Sequence, residues 1–98
     1  MKLCFAEAAQ AETEEAAAWY EAQRPGLGAE FLAALDAAIE SVRAHPDAYP
    51  VVLRDVRRAR LRRFPHSLFY RVHDKQLLVI ACFHARRDPR TWQRRSGP

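Results

Sequence analysis

The hydrophobic period of this chain changes once, at a proline-bounded turn, and that switch decides what it can fold into. Before His45-Pro46-Asp47-Ala48-Tyr49-Pro50, Leu27, Phe31, Leu35 and Ile39 recur every four residues with Leu32 and Val42 beside them, which lays one apolar stripe down a helix. After the turn the texture is extended. Val56 to Phe64 carries Ala59 and Leu61 amid arginines, Leu68 to Asp74 alternates large residues, and Gln76 to Phe83 is a near-continuous apolar run.

Ala6 to Gln23 is Ala/Glu-rich, free of Gly and Pro, and closed by Pro25-Gly26-Leu27-Gly28, so it forms a first helix that folds back on the second as an antiparallel hairpin. Phe64-Pro65-His66-Ser67 and Asp74-Lys75 stand where tight connections belong, and make the three strands an antiparallel meander with the last one central or doubly covered. Lys2 to Phe5 adds a short N-terminal strand. Asp88-Pro89 has the form of a helix cap followed by proline, opening a short helix through Trp92 to Arg95. The expected fold is α+β: an N-terminal strand, a helical hairpin packed on a small antiparallel sheet, and a short C-terminal helix. With 98 residues there is room for one modest core, so residues 1–98 are expected to be a single domain.

Apolar residues make up 49% of the chain and charged ones 29%, the balance of a soluble globular protein. No apolar run approaches the roughly 20 residues of a membrane span, and Glu7 interrupts what would be a secretory signal. Cys4 and Cys82 both lie in apolar strand-like segments and read as buried thiols in a reducing cytosol. Charge is distributed unevenly. Residues 1–50 hold three bases and nine acids, a net charge of −6, whereas residues 51–98 hold thirteen bases and three acids, a net charge of +10. Twelve of those thirteen bases are arginine, whose rigid fork of donors suits carboxylate or phosphate, so the C-terminal half calls for an acidic or polyanionic partner.

Several chemistries are excluded by pattern. The three glycines form no phosphate loop, the cysteines and histidines form no pair at zinc-ligand spacing, and no serine stands on a nucleophile elbow. Neither a metal nor another cofactor is expected. What remains is His84, Arg86, Arg87 and Asp88 just past the most apolar strand, with Tyr70 and His73 on its neighbour. Metal-free RNA cleavage needs a base, an acid and cations on the phosphate, and His, Tyr and Arg supply those types. The competing reading is that His84 caps a core strand while the arginines are surface charge or partner contacts. Trp19 reads as a core anchor, and Trp92, between Arg90 and Arg94, as a partly exposed anchor at a protein interface.

Trp19-Tyr20-Glu21, Arg24-Pro25-Gly26-Leu27-Gly28 with Phe31 and Leu35, Pro46 with Tyr49, Val56-Arg57-Arg58, Phe64-Pro65, Tyr70, and His84 followed by Arg87-Asp88-Pro89 and Trp92 together resemble the RelE/ParE toxin superfamily, over roughly Ala6 to Arg95. The resemblance implies the toxin of a type II toxin–antitoxin pair, cytoplasmic, and held in a hetero-oligomer by an antitoxin whose C-terminal segment wraps it. An acidic segment that folds on binding suits a basic groove.

Two branches share the fold. The Pro-Gly-Leu-Gly turn and the Phe-Pro hairpin are similar to the ParE branch, which inhibits DNA gyrase; there Arg57, Arg58 and Arg87 are the candidate contacts, with Trp92 as anchor. The RelE branch cuts mRNA on the ribosome; on that reading His84 is the acid or base, Arg58 and Arg87 clamp phosphate, and Tyr70 assists. Enzyme status stays open between them. A third class, a basic nucleic-acid-binding module without toxicity, would show steeply salt-dependent binding to free DNA or RNA.

Overall fold

A computed structural model of the chain describes residues 1–97. The order is β1 (Lys2–Phe5), α1 (Glu7–Gln23), α2 (Leu27–Ala44), β2 (Val51–Leu53), β3 (Val56–Arg60), β4 (His66–His73), β5 (Gln76–His84) and α3 (Arg90–Gln93), followed by a 3-10 turn over Arg94–Ser96. The five strands form one sheet in the order β1-β5-β4-β3-β2. This is the expected α+β fold with two differences. β1 pairs parallel to β5, so the sheet is mixed and not wholly antiparallel. A further strand, β2, stands at the edge beside β3. No helix among the described residues is long and apolar enough to cross a membrane.

Each helix is shaped by the side chains it can bury. α1 turns only Ala9 and Thr13 fully inward, so it lies close to its neighbours through small residues. α2 buries Gly28, Phe31, Leu35, Ile39 and Val42, the stripe read from the sequence. Gly28 marks the point of closest approach: a Cβ there would lie 2.7 Å from the Ala17 carbonyl oxygen of α1. Glu21 of α1 completes the join, because its carboxylate accepts the Gly26 N–H at 3.0 Å and the Gly28 N–H at 3.0 Å, satisfying donors that the start of α2 leaves free.

Strand alternation divides the remaining side chains between two faces. Ala59, Leu61, Leu68, Tyr70, Leu77, Val79 and Cys82 meet the two helices in the main core. Val56, Phe69, Ile80, Ala81 and Phe83 meet Trp92 of α3 on the other side. Ile80 and Ala81 share a face although they are neighbours, because the β4–β5 register shifts between Phe69 and Tyr70, pairing Phe69 with Ala81 and Tyr70 with Val79. β5 is thus central and covered on both faces, as its apolar run implies. The turn between β4 and β5 is the two residues Asp74-Lys75, both at positive φ (49° and 59°), the pattern of a type I′ hairpin turn. Both cysteines are free, Cys82 buried and Cys4 half-buried.

Two aromatic expectations fail. Trp19 is 59% exposed, because its neighbour Tyr20 takes the inward position on α1 and packs against Phe31 and Phe64. Trp92 is 4% exposed and stacks on Phe69 with centroids 4.0 Å apart, so it anchors α3 to the sheet and presents little surface to a partner.

Candidate functional site

A concavity of about 560 Å³ opens at the end of the sheet between β3, the ends of β4 and β5, and α3, reaching Arg58, Phe69 and Phe83 on the face away from the helix pair and His66 and His84 on the helix side. Arg58 and Arg60, two residues apart on β3, project to the same side, and they stand opposite Phe69 and Ser67 of β4. His84, at the end of β5, is paired in register with His66, and the two imidazoles meet edge to face at 5.1 Å. Arg87 follows in the turn after β5, where its backbone N–H donates to the His84 carbonyl at 3.1 Å. All five line the concavity, with Phe69, Phe83 and Trp92 among its apolar residues, and no Asp or Glu is among the lining residues.

Each of these groups is held differently. The Arg87 guanidinium lies 4.3 Å from the Phe83 ring and donates to Glu12 at 3.2 Å, a cation–π contact and an ion pair that fix its direction. His84 Nδ1 accepts the Arg86 backbone N–H at 3.0 Å, so the neutral ring carries its proton on Nε2 and offers a donor. His66 is 8% exposed, and its Nδ1 has no hydrogen-bond partner. Burial, then the neighbouring His84, depresses the His66 pKa to about 4, which keeps this ring neutral. Arg58 and Arg60 have no carboxylate partner among the described residues, in contrast to Arg24, Arg63 and Arg71, which are paired with Glu30 or Asp55. Asp88 behaves as the expected cap, accepting the Arg90 N–H at 3.0 Å, and the Arg90 side chain holds its carboxyl below the usual range.

Of the residues singled out in the sequence, Arg58, His84 and Arg87 come together, with Trp92 beneath them. Arg57 does not join them. Strand alternation turns it to the side of its register partner Tyr70, where it donates to the Tyr49 carbonyl at 2.6 Å and the Asp47 carbonyl at 3.2 Å and braces the turn after α2. Tyr70 lies on the same helix-facing side of the sheet as His66 and His84, but four residues along β4 from His66, the register partner of His84. It is 1% exposed, its hydroxyl donates to the Pro46 carbonyl at 2.8 Å, and burial pushes its pKa up to about 12. The set of His84, Arg58, Arg87 and Tyr70 expected for RNA cleavage is therefore not assembled at one place. Arg60 and His66 went unread, although the two-residue spacing of Arg58 and Arg60 is the signal by which a strand places them side by side. Chemically, the concavity offers donors and positive charge to an anion.

The sequence model of the family described as "ParE toxin of type II toxin-antitoxin system, parDE" matches residues 3–89. Among solved structures, the chain is similar to one described as "Chromosomal ParDE TA system from P. aeruginosa", with 21% identity and a TM-score of 0.64 over 86% of this chain and 95% of that chain. At this identity the likeness is one of fold. No curated protein matches the chain.

Proposed function

The chain belongs to the ParE toxin family of type II toxin–antitoxin systems, and from that premise we propose that it is a toxin that arrests growth by inhibiting DNA gyrase and is neutralised by a cognate ParD-like antitoxin. The family match over residues 3–89 carries this reading, because it includes β3, Arg58, His84 and Arg87 as well as the helical hairpin. On this reading residues 1–98 act as one toxin domain in the cytoplasm, where gyrase and the antitoxin are found. The antitoxin's acidic C-terminal segment lies along the arginine-rich side of the sheet, folds as it binds, and holds the toxin in a hetero-oligomer. Arg58 and Arg87 contact target or antitoxin. Arg57 acts by fixing the turn after α2, and Trp92 by anchoring α3.

The proximity of His84, Arg58 and Arg87 supports the second reading, a ribosome-dependent mRNA nuclease. Against it stands Tyr70, which lies four residues along β4 from His66, the register partner of His84, with its hydroxyl engaged by the Pro46 carbonyl. The deciding experiment sets a plasmid supercoiling assay with purified gyrase beside a ribosome-programmed mRNA cleavage assay, with wild type and His84→Ala in each. Supercoiling blocked by both proteins with mRNA intact supports gyrase inhibition. Cleavage that His84→Ala abolishes overturns it.

A further inference from the structure

We propose that two copies of this chain associate through α2, a property that goes beyond gyrase inhibition and does not depend on which target the toxin has. Charge identifies the occupant. A groove of about 650 Å³ runs along one flank of α2, between Ala34 and Ala38 on the helix and Arg60, Arg62 and Arg63 across from it. It shares only Arg60 with the outer concavity. Arg63 is paired with Glu30, but Arg60 and Arg62 have no carboxylate partner among the described residues. At about 100° per residue, Asp36 and Glu40 fall on the opposite flank of α2, exposed, and they too have no cation partner among the described residues. The outward ridge between the two flanks is Ala33 and Ala37, both exposed. With Phe31, Leu35, Ile39 and Val42 buried on the inner side, α2 is apolar on two opposite sides, and a helix of that kind is usually covered on both.

The heights of these groups also match. β3 and the chain that follows it run alongside α2 in the opposite direction, since Arg57 donates to the Tyr49 and Asp47 carbonyls beyond the C-terminal end of α2 while Arg63 reaches Glu30 in its first turn. Arg60 and Arg62 therefore stand level with the middle of α2, the stretch that carries Asp36 and Glu40. A twofold axis parallel to α2 keeps every residue at its own height and brings the acidic flank of each copy against the basic flank of the other. A twofold axis across α2 would set Asp36 and Glu40 against their own copies. Charge selects the first arrangement, with the alanine ridges in contact and the two helices close. The footprint of one 18-residue helix is less than a permanent dimer buries, so association is weak, with a Kd of about 10–100 µM, and sensitive to salt.

Sedimentation equilibrium of the purified full chain tests this. At about 50 mM salt the mass should rise from that of one chain toward that of two as concentration passes the Kd, and at about 0.5 M salt it should return toward one. Asp36→Arg with Glu40→Arg, and separately Arg60→Glu with Arg62→Glu, should each weaken association at least about tenfold, because like charges then face each other. Mixing the two variants should restore it, since every contact across the axis is again between opposite charges. Ala37→Arg, on the exposed ridge, should abolish association while keeping a good helix former, and so decides the matter should a charge-reversed variant misfold. The proposal is overturned if the wild-type chain stays monomeric at low salt, if dimers persist in Ala37→Arg, or if the mixture associates no better than its components. A wild-type chain that stays monomeric but binds a helical Glu/Ala-rich peptide through Arg60 and Arg62 gives the groove to an acidic helix of another protein, and overturns it as well.

Discussion

Arg95 grips Glu12 through two hydrogen bonds of 2.9 Å, one to each carboxylate oxygen, and the pair finishes the edge of the sheet where β1 runs out. The last backbone bond from β1's end is that of the Ala6 N–H to the Val79 carbonyl at 2.8 Å. Beyond it Arg95 donates to the Ile80 carbonyl at 3.1 Å, and the Cys82 N–H donates to Glu12 at 3.1 Å. Two side chains, one from α1 and one from the C-terminal turn, thus substitute for a missing strand on β5. The Glu12 side chain is 9% exposed, so both the carboxylate and the backbone groups it serves lie where water is scarce.

Glu12→Ala should therefore destabilise the fold by about 3 kcal/mol, because it strands the Arg95 guanidinium and orphans a backbone N–H at once. Glu12→Gln, which keeps one acceptor, should cost less. Urea denaturation measures both. A loss under about 0.5 kcal/mol for Glu12→Ala, the range of ordinary surface changes, would show that the bridge is incidental.

His66 sets an acid limit on stability. Its pKa is about 4 in the folded chain against an ordinary 6.5, so the unfolded chain takes up the proton first as pH falls. The contribution of the neutral buried ring is fully present above pH 6.5 and is lost between 6.5 and about 4, to a maximum of about 3 kcal/mol. His66→Phe, which suits a site among Tyr20 and Phe31, should flatten that part of the stability curve relative to wild type. Denaturation midpoints measured through this window check it, and an unchanged slope in the variant assigns the acid loss elsewhere.

Gly28 should not tolerate even one methyl group. The Cβ of alanine would stand 2.7 Å from the Ala17 carbonyl and 3.0 Å from Glu21 Oε1, the carboxylate that also holds the Gly26 and Gly28 N–H groups. Gly28→Ala should cost about 1–3 kcal/mol by pushing the hairpin apart. The gain in helix propensity of about 1 kcal/mol offsets only part of that. A thermal melt no lower than wild type would mean that the helices slide without loss.

Local rules made most of this fold legible, and long-range pairing limited the rest. The four-residue stripe of α2, the Asp74-Lys75 turn and the doubly covered β5 follow from spacing and turn chemistry alone. β2 is only Val51–Leu53, too short to show alternation, and nothing in Lys2–Phe5 reveals whether its partner runs parallel or antiparallel. The site was half legible for a related reason. Arg57 and Arg58 read as one basic cluster along the chain, yet a strand sends consecutive residues to opposite faces, and Tyr70 is parted from His84 by distance along β4. The tryptophans went opposite to expectation because size alone does not rank burial: Tyr20 holds the inward aromatic position on α1, while the flank of Phe69 admits an indole.

Tyr70 separates the two toxin readings by a measurement that needs no target. Its hydroxyl donates to the Pro46 carbonyl, tying β4 to the turn after α2, and burial raises its pKa to about 12 even though Arg57 nearby acts in the opposite sense. A phenol in that setting stays protonated at neutral pH and cannot serve as a base. Tyr70→Phe should then cost about 1 kcal/mol, the ordinary net worth of one hydrogen bond, and leave growth inhibition intact when expression is matched. In an ultraviolet pH titration of the folded protein, Tyr70 should contribute no phenolate below about pH 11, a range in which an exposed tyrosine near pKa 10 has largely ionised. If Tyr70→Phe keeps its stability and abolishes toxicity, the hydroxyl acts on a substrate, and the face that carries it is the working one.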